Sequence, residues 1–320
     1  MFDDLILYFL VLFKKFIIKL NFKYLLSKKM FFIENNTFIY IIKNLKCIKI
    51  NKKNRLYAYY DILHNFDLYF NAVKYQKFFI FKFIDFSQMK LHDVIGYNLH
   101  QVMVPSIMEP VDAVKQYINF FNLNEDSVVL DLGSYSGLTA ILFDKEICKN
   151  NPNASGKVIT VEADKMNLKA VKHNISSYFL KTERNIEIFF GAIWNKDGEL
   201  DFSSEGALGS AAIDVLNSCR GKMETVPSYK LSTIANKLSL KKVDCIKCDI
   251  EGAEGYMVED KEFFEKYKPR IIMELHEVSG DKLFNKVKNN LEKHGYSVKK
   301  VVQEDGFTFP LVECLFNKEA

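Results

Sequence analysis

Glycine and proline are missing from the first 95 residues: all 14 glycines and all 6 prolines lie at or beyond Gly96. So few turn-formers exclude a collagen-like or Pro/Gly-rich disordered chain. Six cysteines in 320 residues are too sparse for a disulfide scaffold, so reduced thiols are expected. A net charge of +4 is too weak a bias to imply a nucleic-acid partner. Long apolar runs are lacking as well. Leu5–Phe13 is broken by Lys14-Lys15, whereas a membrane-spanning helix needs about twenty apolar residues. Asp3-Asp4 precedes that run and no small-residue cleavage site follows it, which argues against a secretory signal. No repeat period is present.

What is there is a chain 48% hydrophobic and 26% charged, long enough to bury a sizeable core. Residues 1–95 hold sixteen Lys/Arg against seven Asp/Glu, a local +9 that leaves −5 for the remainder. Two regions are expected: an aromatic- and Lys-rich N-terminal extension over 1–95 and a second domain over 96–320. Within the extension, Lys15, Lys19 and Lys23 line one helical face, with Phe9, Phe13, Phe16 and Leu20 to another side. Residues 5–25 thus offer a helix that lies on an anionic membrane surface. The alternative is a helix packed on protein, its lysine stems spread over apolar surface; near-uniform apolarity of the first turns favours it. Phe38–Ile42 and Phe78–Phe83 are strands or helix faces, which periodicity alone does not separate. The basic-aromatic mixture resembles a single-strand nucleic-acid platform, but A·T-rich coding gives the same bias, so no nucleic-acid partner is expected.

Beyond residue 112 the order becomes legible. Apolar, β-branched runs at Val128–Leu130, Val158–Val161, Ile186–Phe190, Val243–Cys248 and Arg270–Leu275 predict five strands. Helices are expected at Lys165–Ser177 and Asp281–His294, and Val298–Val302 with Leu311–Phe316 closes the sheet as an antiparallel pair. Strands alternating with helices predict an α/β fold, a mostly parallel seven-stranded sheet with helices on both faces. Ligands of such sheets bind beyond the carboxyl ends of the strands. Cys245 and Cys248 form a C-x-x-C string inside a predicted strand. Residues three apart there face opposite ways, so the pair reads as buried structural thiols.

The strand ends carry the informative residues. The first reads Asp131-Leu132-Gly133-Ser134-Tyr135-Ser136-Gly137. Gly133 removes a side chain where backbone must approach a ligand, and Gly137 lets the next helix begin close to the strand. Asp131 suits a ligand with a cationic amino group and repels a pyrophosphate. Glu162, ending the second strand, can accept both hydroxyls of a ribose. Asp249, Glu251 and Glu254 crowd three carboxylates after the fourth strand, calling for Lys247, a sulfonium or a divalent metal to balance them. Glu274 and His276 face the same way after the fifth, and a histidine there can act as a general base.

Residues 128–276 resemble the FkbM family of S-adenosylmethionine-dependent methyltransferases. The resemblance rests on Asp131–Gly137, Glu162-Ala163-Asp164, Gly191-Ala192, the string Ile246–Glu254 and Glu274-Leu275-His276, in that order; a segment like His100–Pro110 also precedes the core in some members. It implies a Rossmann-like class I methyltransferase fold and transfer of a methyl group to a hydroxyl of a sugar, glycan or secondary metabolite. S-adenosylmethionine is the implied cofactor, held by Asp131, Gly133, Ser134, Tyr135, Gly137, Glu162, Ala163, Gly191, Ala192 and Asp249. His276 is the expected base, oriented by Glu274, with Asp249 and Glu251 positioning the acceptor. Tyr135 departs from the frequent Asn of the family and alters the methionine end of the pocket. Metal assistance through Asp249 and Glu251 is a secondary reading, since no spacing here has the force of a zinc motif. Two other classes stay open: a catalytically silent binding module tethered to a glycan-assembly complex, and a nicotinamide-dependent oxidoreductase. The expected location is cytoplasmic, with peripheral membrane or partner contact through residues 5–25 as the variant.

Overall fold

The computed structural model describes residues 30–51, 62–88, 90–95, 101–102, 111–179, 186–206, 209–216, 219, 221–276, 281–302 and 310–317. Among them no helix is long and apolar enough to cross a membrane. The helix expected over 5–25 lies outside the described residues, as does most of His100–Pro110. The chain forms two compact units that divide between Lys90 and Leu91.

In the first unit, strands β1 (Met30–Glu34), β2 (Phe38–Lys43), β3 (Lys46–Asn51), β4 (Gln76–Phe78) and β5 (Phe81–Asp85) build a sheet in the order β1-β2-β3-β5-β4. Ile41, Ile48, Ile50 and Ile84 are buried together with Phe66 and Phe70 of helix α1 (Phe66–Ala72). Phe38–Ile42 is therefore a strand. The Phe78–Phe83 run is no single element, because Phe79 takes φ +53° and turns the chain between β4 and β5. Phe79 is left 88% exposed at that tip.

The second unit begins with a short ladder of β6 (His92–Asp93) and β7 (Gln101–Val102). Its main strands are β8 (Val128–Leu132), β9 (Lys157–Glu162) and β10 (Ile186–Phe190). Then come β11 (Ala192–Ile193), β12 (Gly198–Ser204), β13 (Ala211–Ala212) and β14 (Lys222–Tyr229). β15 (Cys245–Cys248), β16 (Arg270–Glu274), β17 (Tyr296–Val301) and β18 (Leu311–Phe316) complete the set. Seven of them form one sheet in the order β10-β9-β8-β15-β16-β18-β17. The first five run parallel, and β18 is antiparallel to both neighbours. The expected mostly parallel seven-stranded α/β sheet is present, and the closing pair is inserted with the last strand inside.

Period-two alternation sends neighbouring residues to opposite faces. Val129, Val158, Cys245 and Ile272 pack with helices α2 (Val111–Phe121), α3 (Leu138–Ile147) and α4 (Lys165–Phe179). Leu130, Ile159, Cys248 and Ile271 face the other layer. There, after the short α5 (Ile213–Leu216), pack α6 (Leu231–Lys237), α7 (Glu254–Met257), α8 (Lys261–Tyr267) and α9 (Lys282–Lys293). Cys245 and Cys248 thus lie in different layers, both buried and neither in a disulfide. Burial raises the Cys248 thiol well above its ordinary value.

Strand β15 is shorter than the predicted run. Asp244 precedes it and accepts the Val128 amide through its side chain at 2.7 Å. A larger departure lies at 192–229, where β11, β14, β12 and β13 make a separate four-stranded sheet. Sequence patterning assigns no elements to Gly198–Lys230. Pro227 inside β14 speaks against a strand when only sequence is seen, yet it pairs across to Glu199 in register.

Candidate active site

A cavity opens beyond the carboxyl ends of β8, β9 and β15, where the strand order reverses. The expected residues Gly133, Tyr135, Glu162, Ala163, Gly191, Ala192, Asp249 and Glu251 all line it. Asp131, Ser134, Gly137, Glu274 and His276 do not.

The turn after β8 is fixed by its neighbours. The amides of Gly133 and Ser134 both donate to Val161 O, and Gly137 N donates to Ser134 O at 2.7 Å. Gly133 takes φ +73°, and a Cβ built there would sit 1.7 Å from Asp249 O. The glycine is required by the β15 end, not only by a ligand as the motif suggested. Gly137 packs against helix α4, where an added Cβ would meet Val171 Cγ1 at 3.4 Å, so the close approach is helix to helix.

Asp131 lies behind the cavity wall. It is fully buried, accepts from Thr139 at 2.7 Å, and faces Lys247 Nζ at 3.8 Å. Burial raises its carboxyl, and Lys247 pulls it back. The cation facing Asp131 is therefore the chain's own Lys247, which also donates to Gly133 O at 2.8 Å and stands 3.6 Å from Asp249. Ser134 is likewise fully buried.

Glu162, unlike Asp131, reaches the cavity. Its Oε2 accepts the Tyr135 amide and its Oε1 the Asp164 amide, each at 2.8 Å. Each carboxylate oxygen keeps a second lone pair for a ligand donor. Burial first, then the nearby Asp164, pushes the carboxyl up to about 8. The Tyr135 amide reaches Glu162 from a residue at φ +50° that is 5% exposed.

Asp164 was not singled out by sequence reasoning beyond its place in the motif. It accepts from the Met166 and Asn167 amides at the start of α4. It also accepts from Ser204 Oγ, the amides of Glu205 and Gly206, and Ser210 Oγ. One buried carboxylate thus caps a helix and holds Ser204, Glu205, Gly206 and Ser210, of which Ser210 lines the cavity. Asp164→Ala removes both sets of charge-assisted bonds and is expected to cost about 3 kcal/mol. Urea denaturation followed by circular dichroism measures it.

The opposite wall also escaped the sequence reading. Phe202 and Ala212 come from the small sheet, and Trp194 stacks on Tyr256 with centroids 3.9 Å apart. Only the proximity of Gly191-Ala192 hinted at this wall.

Beyond β15 the I-K-x-D-x-E-G-x-E string makes a tight loop. Glu251 takes φ +54° and Gly252 φ +96°. Glu254, fully buried, folds back so that its Oε1 accepts the amides of Ile250 and Gly252, each at 3.2 Å. The three acids read as one crowd therefore divide: Asp249 and Glu251 face the cavity, and Glu254 braces the loop. His276 stands among four carboxylates. Its Nε2 is 3.7 Å from Asp249, 3.5 Å from Glu251 and 3.5 Å from Glu274, and its Nδ1 is 3.7 Å from Glu254. Burial opposes its charge, but Glu254, Glu251 and Asp249 outweigh that and raise it to about 10. Asp249, Glu251 and His276 each offer one atom to a common centre, all within 4.8 Å of one another, and can hold a metal ion.

No curated protein matches the chain. Among solved structures, the methyltransferase FkbM from Methylobacillus flagellatus KT is 15% identical with TM-score 0.42; the match covers 61% of this chain and 47% of that one. This chain thus spans about half the length of that relative. The precorrin-6y C5,15-methyltransferase from Geobacter metallireducens GS-15 is 15% identical with TM-score 0.38, covering 65% and 88%. The O-methyltransferase from Bacillus cereus, solved in complex with SAH, is 14% identical with TM-score 0.39, covering 65% and 82%. These are loose likenesses, and the assignment rests instead on the methyltransferase FkbM domain, whose family model matches residues 131–298. From the glycine turn after β8 into the closing strand β17, more than half of its length, the chain belongs to the FkbM methyltransferase family.

Proposed function

We propose that this methyltransferase carries the methyl group of S-adenosylmethionine to a hydroxyl oxygen of a sugar, glycan or small secondary metabolite. One observation carries the reading: a single cavity is lined both by Glu162, pinned by two backbone amides, and by the Asp249 and Glu251 carboxylates. Glu162 suits the two ribose hydroxyls of an adenosine, and Gly133, Tyr135, Ala163, Gly191 and Ala192 shape the space around it. When bound, S-adenosylmethionine supplies an electrophilic methyl group on a cationic sulfur. The chain's work is then to hold the acceptor oxygen in line and exclude water, and to take the hydroxyl proton.

The base expected from the sequence, His276, gives way to another assignment. Asp249 and Glu251 line the cavity, whereas His276 does not and has both ring nitrogens turned toward carboxylates. The proton therefore goes to the cavity-facing carboxylates, with His276 and Glu274 as positioning residues behind them. Membership in a methyltransferase family disfavours the oxidoreductase reading. The silent binding module is distinguished by turnover alone.

The chain's single tryptophan, Trp194, lines this cavity and supplies the test. Titration with S-adenosylmethionine or S-adenosylhomocysteine is expected to change Trp194 emission saturably, at one site per chain. Labelled methyl transfer to hydroxyl acceptors then separates an enzyme from a binding module. A folded protein whose emission responds to neither compound, or a product methylated only on carbon or nitrogen, overturns the proposal.

A further inference from the structure

One end of the first unit's sheet carries two hairpin tips side by side. β2 turns into β3 through Asn44-Leu45, and β4 turns into β5 through Phe79-Ile80. Lys46 of β3 pairs in register with Lys82 of the parallel β5, which brings both turns to the same end. The tips are apolar where water favours polar groups. Leu45 is 50% exposed, Phe78 66%, Phe79 88% and Ile80 70%. The Phe78 and Phe79 rings meet edge to face with centroids 4.9 Å apart. Leu45 and Phe79 also take φ +62° and +53°, a conformation for which tight hairpins select glycine or asparagine. These large side chains therefore serve neither the core nor the turn.

Directly behind the tips runs a row of lysines. Lys43, Lys46, Lys82 and Lys77 are successive cross-strand partners on β2, β3, β5 and β4. Like charges directly opposite one another cost a sheet stability. Asp67 of α1 offsets the first two. Lys82 lies over the Tyr75 ring, 5.0 Å from its centroid, and neither Lys82 nor Lys77 meets a carboxylate among the described residues.

From this arrangement we infer that this end of the sheet docks on an anionic lipid surface. The tips enter the acyl boundary, and Lys77 and Lys82 rest among the headgroup phosphates. The distances agree. Lys77 precedes Phe79 by two residues, about 7 Å along a strand, and apolar faces enter such a surface by about 5–10 Å. Long lysine stems reach back from there to the charged layer. The local +9 of residues 1–95 adds longer-range attraction to an acidic leaflet. This contact is a different surface from residues 5–25, and it does not depend on the methyl-transfer reading.

The test is flotation of the full chain with vesicles of equal parts phosphatidylserine and phosphatidylcholine, beside vesicles of phosphatidylcholine alone. Binding to the anionic vesicles is expected, weakening as salt rises. Phe79→Gly removes the ring and takes φ +53° without steric cost, so the melting temperature is expected to hold while vesicle affinity falls at least about tenfold. Ile80→Ser, a change outside the left-handed position, is expected to weaken binding severalfold. Lys77→Gln with Lys82→Gln is expected to cost about 25-fold and to flatten the salt dependence. Wild-type protein that ignores anionic vesicles overturns the inference, as does full-strength binding by folded Phe79→Gly and Ile80→Ser. Self-association of the wild type that Phe79→Gly abolishes, without vesicle binding, overturns it in favour of a second copy of the chain.

Discussion

Glu162→Gln is expected to weaken S-adenosylmethionine binding about 100-fold. In the wild type both carboxylate oxygens already accept a backbone amide, from Tyr135 and Asp164, and each retains capacity for a ribose hydroxyl. Glutamine offers one acceptor oxygen and an NH₂ group. Whichever way it is placed, a donor confronts one of those amides and one hydroxyl loses its partner. Losing a hydrogen bond to a charged group and leaving a buried donor unpaired costs about 3 kcal/mol, or about 100-fold in Kd. The variant's stability should change less, because removing a buried charge offsets the unpaired amide. Titration of Trp194 emission measures the affinity.

The same residue predicts a pH profile. Burial and Asp164 raise Glu162 to about 8, so the native state holds this proton more tightly than the unfolded chain does. The sign follows: its contribution to stability is fully present below the unfolded value of about 4.3 and declines as pH rises toward 8. Ligand hydroxyls donate to the ionised form, so affinity runs the other way and binding releases a proton below pH 8. Affinity is expected to be about tenfold lower at pH 7 than at pH 9, and to lose this slope in Glu162→Gln. A flat wild-type profile would remove Glu162 from the ribose.

Gly133→Ala should be the most destabilising small substitution in the site. Alanine must adopt φ +73° with its Cβ 1.7 Å from Asp249 O, a backbone atom that cannot swing aside. Left-handed strain and overpacking together amount to about 3–5 kcal/mol, a fall in melting temperature on the order of 10 °C. Gly137→Ala provides the internal comparison. It shares a positive φ of +79°, but its Cβ meets Val171 Cγ1 and Cα and Ile175 Cδ1 at 3.4–3.7 Å, ordinary van der Waals distances, so about 1 kcal/mol is expected. Equal losses at the two positions would show that backbone conformation, not the collision with β15, sets the requirement.

Much of the second unit was readable because buried parallel strands are short β-branched runs, and Val128–Leu132, Lys157–Glu162 and Ile186–Phe190 carry them openly. The small sheet was not readable. Its strands β12 and β14 are half exposed, and β14 contains a proline. Phe78–Phe83 misled for the opposite reason: a continuous apolar run conceals the reversal at Phe79. The motif acids were found by spacing, but their division of labour was not. Asp131 and Glu162 both end neighbouring strands, yet one is sealed beneath Lys247 and the other opens on the cavity.

The amino-acid order alone settled the alternation of strands and helices, the opposite facing of Cys245 and Cys248, and which strand ends hold acids, because hydrophobic periodicity and turn chemistry are local. Tertiary structure decided what those acids do. Residues 131, 162, 249 and 276 come together only through the strand order β9-β8-β15-β16, and whether a carboxylate there clamps a ligand, caps a helix or braces a loop depends on which amides and cations the packed neighbours present to it.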